Sequence, residues 1–94
     1  MNIKRRFFAA ILSQPRRKNI EYREIKPYWN RRLAGLLGKR FKLRLLNGML
    51  PPVPEAIVTV EKLVRNMRRG DYELHLGRVL RVKHWDRKRE RPST

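Results

Sequence analysis

Apolar and basic side chains alternate one by one along a five-residue segment that reads Phe41, Lys42, Leu43, Arg44, Leu45. Successive side chains of a β-strand point to opposite faces, so this pattern predicts a strand with one buried face and one solvated face. A chain that contains such a strand must supply partner strands, because an isolated strand leaves its backbone groups unpaired. The alternation therefore commits this part of the chain to a sheet.

Partner strands are predicted elsewhere by the same kind of pattern. Alternation and runs of β-branched residues mark several short segments, bounded by proline, glycine and asparagine. Gly77 interrupts the last of them and predicts a bulge or bend. The predicted partner strands are residues 1–4, 19–23, 56–63, 72–76 and 79–82.

Two short helices are expected beside the sheet. Residues 5–13 carry three apolar side chains at i, i+3 and i+4, which is the spacing of one helical face, and Pro15 follows as a stop signal. One or two helical turns are expected over residues 31–37, which Gly38 closes. The apolar face of the first helix consists of Phe8, Ile11 and Leu12.

The predicted fold class is α+β, mostly β: a small β-barrel of about five short strands with one or two short helices. Ninety-four residues allow one domain. Closure into a barrel is expected because it removes the exposed edges of short strands. Residues 86–94 are charged and polar, so we expect the domain to span residues 1–85 and the tail to be disordered.

A large positive charge restricts the class of partner. Twenty-five Lys and Arg residues face eight Asp and Glu, which gives a formal net charge of +17. Such a charge opposes compaction unless a polyanion neutralises it. Because the cations are spread along the whole chain and are not gathered on one amphipathic helix, nucleic acid is favoured over a membrane surface.

Several functional classes find no support in the composition. The chain has no cysteine, so disulfides and cysteine-based zinc sites are excluded, and two histidines are a weak basis for a metal site. No apolar run approaches the roughly 18 residues that a membrane span requires. The apolar run at residues 7–12 is too short for a signal peptide, which favours a cytoplasmic protein. We expect no metal and no cofactor.

Candidate binding residues are concentrated between positions 16 and 44. Lys18, Glu21 and Arg23 could form a polar cleft, although the alternative for such a group is an exposed ion pair. Aromatic residues among cations suit the stacking of unpaired bases, although Tyr22 and Trp29 could equally fill a small core. The predicted nucleic-acid-binding residues are Arg16, Arg17, Lys18, Tyr22, Arg23, Lys26, Tyr28, Arg31, Arg32, Lys42 and Arg44.

Four segments follow one another along the chain: Ile20-Glu21-Tyr22-Arg23, Lys26-Pro27-Tyr28-Trp29 with Arg31-Arg32-Leu33, Phe41-Lys42-Leu43-Arg44-Leu45-Leu46-Asn47-Gly48, and Tyr72-Glu73-Leu74-His75-Leu76-Gly77-Arg78-Val79-Leu80. In this order they resemble the ASCH domain family, and the resemblance spans about residue 3 to residue 84. The resemblance implies a PUA-like β-barrel with a cleft suited to RNA or a nucleotide. The expected partner is therefore RNA in single-stranded form.

The resemblance also raises an enzymatic alternative. Some members of that family hydrolyse acetylated cytidine, and some are reported as ribonucleases. Lys18 matches the Lys that the hydrolases carry before the second strand, whereas Glu21 stands in place of their Thr. If the chain is a small hydrolase of modified cytidine or single-stranded RNA, Lys18 and Glu21 are its expected catalytic residues. A third alternative is an accessory protein of a ribonucleoprotein.

Overall fold

The computed structural model describes residues 1–14 and 19–93. Strands dominate this part of the chain, together with two short α-helices, as the sequence predicts. The predicted helix over residues 5–13 is found, and so are the predicted strands over residues 19–23, 41–45 and 56–63, within a few residues of the expected bounds. The predicted strands 72–76 and 79–82 form one continuous strand, and residues 1–4 form no strand. The elements are α1 (Arg5–Ser13), β1 (Asn19–Glu24), α2 (Pro27–Leu33), a 3₁₀ turn (Ala34–Leu36), β2 (Phe41–Leu46), β3 (Glu55–Asn66), β4 (Asp71–Lys83), β5 (Trp85–Asp86) and β6 (Arg91–Pro92).

Four antiparallel strands form the main sheet in the order β1-β4-β3-β2. The long β3–β4 hairpin lies at its centre, and its register shifts at several points between Ile57 and Lys62. Gly77 lies opposite this irregular stretch. A Cβ atom at Gly77 would come within 2.3 Å of the Glu61 carboxylate and 2.4 Å of the Thr59 hydroxyl, so these two side chains occupy the space that glycine leaves.

The main sheet is not closed into a barrel in the described part of the chain, so the predicted barrel is not confirmed. The N-terminal residues make one isolated parallel bridge, Asn2 to Leu46, where the sequence predicts a strand. Two backbone hydrogen bonds support that bridge: Ile3 N–H donates to Leu46 O at 2.8 Å, and Leu46 N–H donates to Met1 O at 2.9 Å. Residues 1–3, which we call the N-terminal segment, thus cover the outer edge of β2.

The core lies between the inner face of the sheet and helix α1. Helix α1 buries the three apolar residues that its spacing predicts. Tyr72 on β4 is fully buried, and its hydroxyl donates a hydrogen bond to the Asn30 side chain of α2, which ties that helix to the sheet. The buried residues are Ile3, Phe8, Ile11, Leu12, Leu33, Leu45, Ala56, Val58, Val60, Leu63, Tyr72, Leu74, Leu76 and Trp85.

Helix α2 begins four residues earlier than predicted. Pro27 occupies its first turn, where the fixed backbone angle of proline favours a helix start and the missing N–H costs nothing. The helix ends at Leu33, and the 3₁₀ turn replaces the second predicted turn. In the described part of the chain, no helix is both long enough and apolar enough to cross a membrane.

Beyond Lys83 the described chain forms a short hairpin of β5 and β6, which includes most of residues 86–94, the segment expected to be disordered. Trp85 is buried, and its ring centroid lies 5.0 Å from that of Phe8. The Asp86 carboxylate accepts hydrogen bonds from the backbone N–H groups of Lys88 and Arg89, at 3.0 and 3.1 Å, which fixes the turn. The domain boundary at residue 85 stays a prediction.

Replacement of Trp85 should expose how much the hairpin contributes to stability. Trp85→Ala removes a large buried ring from the contact with Phe8, so we expect the free energy of unfolding to fall by about 3–5 kcal/mol. Arg87→Ala, an exposed change in the same hairpin, should cost less than about 0.5 kcal/mol. Urea denaturation measures both. Equal effects of the two changes would show that the hairpin does not pack on the core.

Candidate nucleic-acid interface

A cleft of about 520 Å³ opens between strand β1, the N-terminal segment and the loop after β2. Its walls combine polar side chains with the apolar side chains of two residues near the start of α1. Glu21 and Arg23, two of the three residues expected to form a cleft, are among them. The lining residues are Asn2, Ile3, Lys4, Phe7, Glu21, Arg23, Asn47 and Gly48.

Glu21 and Arg23 lie on the inner face of the sheet. Strand β1 pairs Glu21 with Leu74 and Arg23 with Tyr72, and residues directly opposite in an antiparallel pair share a face. Both partners are fully buried core residues. Strand β1 thus points Glu21 and Arg23 inward and Tyr22 outward. This is the reverse of the usual pattern, in which hydrophobic side chains face the core.

Three groups surround the Arg23 guanidinium. Its Nη2 donates a hydrogen bond of 2.6 Å to the Asn2 carbonyl, and its central carbon lies 5.2 Å from the Trp29 ring centroid. Its Nε lies 3.4 Å from the Glu21 carboxylate oxygen Oε1. That Nε is buried and finds no hydrogen-bond acceptor among the described residues, so Glu21 and Arg23 attract each other as charges without hydrogen-bond geometry.

Burial raises the pKa of the Glu21 carboxyl above its ordinary value of 4.5, and the nearby Arg23 charge lowers it in part. The Arg23 charge favours the ionised carboxylate, whereas burial favours the protonated carboxyl. The loss of hydration is the larger effect, because the one neighbouring Arg23 charge compensates only part of the solvation free energy that the carboxylate loses on burial. Glu21 therefore takes up a proton more readily than an exposed glutamate.

A row of stacked side chains leads away from the cleft along α2. The Trp29 and Tyr28 rings meet edge to face, with centroids 4.8 Å apart and planes at 87°. The Arg32 guanidinium lies 3.7 Å from the Tyr28 centroid. Together with Arg23 over Trp29, these contacts form a continuous series of cation, aromatic, aromatic and cation, which we call the stacking row.

The stacking row borders a second recess, of about 280 Å³. Tyr28 keeps 46% of its surface exposed, so the part of its ring that Arg32 and Trp29 leave uncovered is accessible to a ligand. Lys42 lines the same recess and is exposed on β2. The recess therefore joins two exposed cations, Arg32 and Lys42, to an accessible aromatic surface.

Tyr22 is separated from this arrangement. It pairs with Glu73 on the outer face of the sheet, and the Arg69 guanidinium lies 4.3 Å from its ring centroid. Glu73 in turn accepts a hydrogen bond of 2.9 Å from Asn66 and lies 3.3 Å from His75. The sequence placed Tyr22 with the other binding residues, whereas the structure places it on the opposite face from Glu21 and Arg23.

The remaining predicted residues are spread over the surface. Lys26 lies 3.7 Å from the Glu24 carboxylate, and Arg31 is exposed on α2. Arg44 forms an ion pair with Glu55 on the neighbouring strand. These three do not line either recess. Three more predicted residues lie outside the described part of the chain, namely Arg16, Arg17 and Lys18, so the complete trio around Glu21 stays a prediction.

Sequence reasoning missed the far wall of the cleft. Asn2 exchanges two hydrogen bonds with Gly48: its Nδ2 donates to the Gly48 carbonyl at 2.9 Å, and its Oδ1 accepts from the Gly48 N–H at 3.3 Å. The Asn47 side chain donates to the Ile3 carbonyl at 3.0 Å. The Asn-Gly turn signal marks this loop, but no local pattern reveals contacts across more than forty residues.

Comparisons with known proteins found no match for this chain, so its function is inferred from its own residues. No protein-family model matches the chain, and neither a curated protein nor a solved structure matches it. Among residues 1–14 and 19–93, no group of three or more His, Asp or Glu side chains could hold a metal ion. The site is therefore defined by the cleft and the stacking row.

The raised pKa of Glu21 predicts a pH dependence of stability. A carboxyl with a higher pKa in the folded chain binds more protons folded than unfolded, between 4.5 and the raised value. The free energy of unfolding therefore falls as pH rises through that window. Glu21→Gln removes this contribution, so the stability of the variant relative to the unaltered protein should increase from pH 4.5 upward and then level off.

The control for this experiment is Glu24→Gln, three residues further along the same strand. Glu24 is exposed and lies beside Lys26, so its replacement should leave the pH profile nearly parallel to that of the unaltered protein. Urea denaturation at a series of pH values measures all three proteins. A Glu21→Gln profile that is also parallel would contradict a raised pKa at Glu21.

Proposed function

We propose that this protein binds single-stranded RNA across the cleft and the stacking row. The observation that carries the proposal is the row itself: Tyr28 presents a half-exposed ring, and a cation lies at each end of the aromatic pair. Unpaired bases stack on aromatic rings while nearby cations neutralise the backbone, an arrangement typical of single-strand binding. Bases in a duplex are already stacked and cannot use such a ring.

The charge distribution supports the same ligand. The net charge of +17 provides a long-range attraction for any polyanion, and Lys4, Arg32 and Lys42 supply local positive charge beside the two recesses. Phosphate contacts of this kind bind without regard to base sequence, whereas stacking requires accessible bases. The two features together favour unpaired RNA over a duplex.

For the fold, we propose a PUA-like domain of the ASCH type. The support is the order of the sequence segments and the way the N-terminal segment lies between the two edge strands of the sheet. Asn2 bridges to β2 through its backbone, and its carbonyl accepts a hydrogen bond from Arg23 on β1. The Arg23 side chain thus joins β1 to the N-terminal segment, where the edge strands of a closed barrel would be joined by backbone hydrogen bonds.

The test is the affinity for a fluorescent single-stranded RNA, measured over a range of salt concentrations. Each phosphate contact contributes about −0.7 to the slope of log K against log salt, so five contacts lower the affinity by roughly 100-fold between about 50 and about 200 mM. Tyr28→Ala should weaken binding by about 5- to 100-fold through the loss of stacking, and Tyr28→Phe should restore most of it.

Tyr22→Ala is the matched control, because Tyr22 is 40% exposed and also lies under an arginine, but on the opposite face. It should change the affinity by less than about twofold. Equal losses for Tyr22→Ala and Tyr28→Ala would contradict the proposed location. A flat salt titration, or no binding of free RNA, would contradict RNA binding and favour an accessory role on a larger ribonucleoprotein.

A hydrolase remains the second candidate, and one observation favours it. Glu21 lines the cleft with a raised pKa, and a carboxyl becomes a more effective general acid or base as its pKa approaches the working pH. If the protein hydrolyses acetylated cytidine or RNA, Glu21→Gln should abolish turnover while RNA still binds. Mass spectrometry of an acetylcytidine and short-RNA panel measures turnover. Without product from the unaltered protein, the hydrolase is excluded for those substrates.

A further inference from the structure

Two large apolar side chains project into solvent beside the cleft. Met49 is 88% exposed and Leu50 is 87% exposed, more than any other large apolar residue of the described chain, of which Met67 comes next at 73%. Both belong to the loop that joins β2 to β3, residues 47–54, which we call the proline loop. Exposure of this apolar surface to water is unfavourable.

The proline loop holds these side chains in a defined place. The Asn47 N–H donates to the Pro54 carbonyl at 3.0 Å and closes the loop, while Asn2 fixes Gly48 through two hydrogen bonds. Three prolines, at positions 51, 52 and 54, restrict the backbone between the tip and β3. An anchored loop loses little conformational entropy on binding, so the apolar tip of the loop is preorganised for a contact with a ligand.

The base of the loop is also a wall of the cleft. Asn47 and Gly48 line it together with Arg23 and Lys4. A polyanion drawn into the cleft by these cations therefore passes next to Met49 and Leu50. Charge complementarity favours a nucleic acid over an apolar protein face as the occupant, because an apolar partner would bury the exposed Lys4 charge without compensation.

We propose that Met49 and Leu50 form a wedge that inserts between neighbouring bases of RNA held in the cleft. Apolar side chains, methionine and leucine among them, unstack base steps in this way in proteins that kink nucleic acids. The wedge separates one base from its neighbour, and the freed base is then available to the stacking row. The inference rests on the proposed RNA binding and adds that the bound RNA is unstacked at the proline loop.

The experiment uses a single-stranded RNA that contains 2-aminopurine, whose fluorescence rises when the base is unstacked. The unaltered protein should bind and increase the fluorescence. The double variant Met49→Ser with Leu50→Ser should lose most of that increase and bind roughly tenfold more weakly, because stacking-type contacts are lost. Its salt dependence should stay the same, since no charge changes.

Met67→Ser is the matched control, because Met67 is an exposed apolar residue at the tip of the β3–β4 turn. It should leave both fluorescence and affinity unchanged. If the double variant behaves like Met67→Ser, the wedge is overturned while RNA binding stands. If the unaltered protein binds no RNA, the proposed function fails. If the double variant keeps its RNA binding but loses a binding to anionic phospholipid vesicles that the unaltered protein shows, the loop contacts a membrane and the wedge is overturned.

Discussion

The Arg23 guanidinium joins parts of the molecule that the backbone ladder leaves apart. It lies on the inner face of an edge strand, where a charge without partners is strongly destabilising. Its partners are the Asn2 carbonyl, the Glu21 carboxylate and the Trp29 ring. Because Asn2 belongs to the segment that covers β2, and Trp29 belongs to α2, one side chain connects β1 to both. The width of the cleft and the position of the stacking row depend on this set of contacts.

Local patterns predicted the elements well and their assembly less well. The apolar spacing of α1 and the alternation of β2 are properties of a few consecutive residues, so the sequence located both elements closely. The hairpin at the C-terminal end was missed because it depends on Trp85 reaching Phe8, across most of the chain. Barrel closure was expected from the general cost of free edges, but the main sheet of the described chain is open, and Asn2 instead makes one backbone bridge to Leu46 and accepts one hydrogen bond from Arg23.

The candidate site was predictable where it depends on strand periodicity. Glu21 and Arg23 are two residues apart on one strand, so they share a face of the sheet, as the sequence predicts, and both line the cleft. The same periodicity separates Tyr22 from them, since it must point to the other face. Composition alone grouped Tyr22 with Tyr28 because both have basic neighbours in sequence. The cleft wall formed by Asn47 and Gly48 depends on tertiary contacts that no short motif encodes.

Inward-pointing charges on an edge strand also have a purely structural use, since they discourage pairing with the edge of another sheet. That use accounts for Glu21 and Arg23 on β1. It does not account for Tyr28 and Arg32, which stack on each other on α2, away from the strand edge, and leave almost half of the tyrosine in solvent. An exposed aromatic ring covered by a guanidinium protects no edge and fills no core. In the proposed function, one ligand, a polyanion with accessible bases, contacts both the charges of β1 and the stacking row and so accounts for the two together.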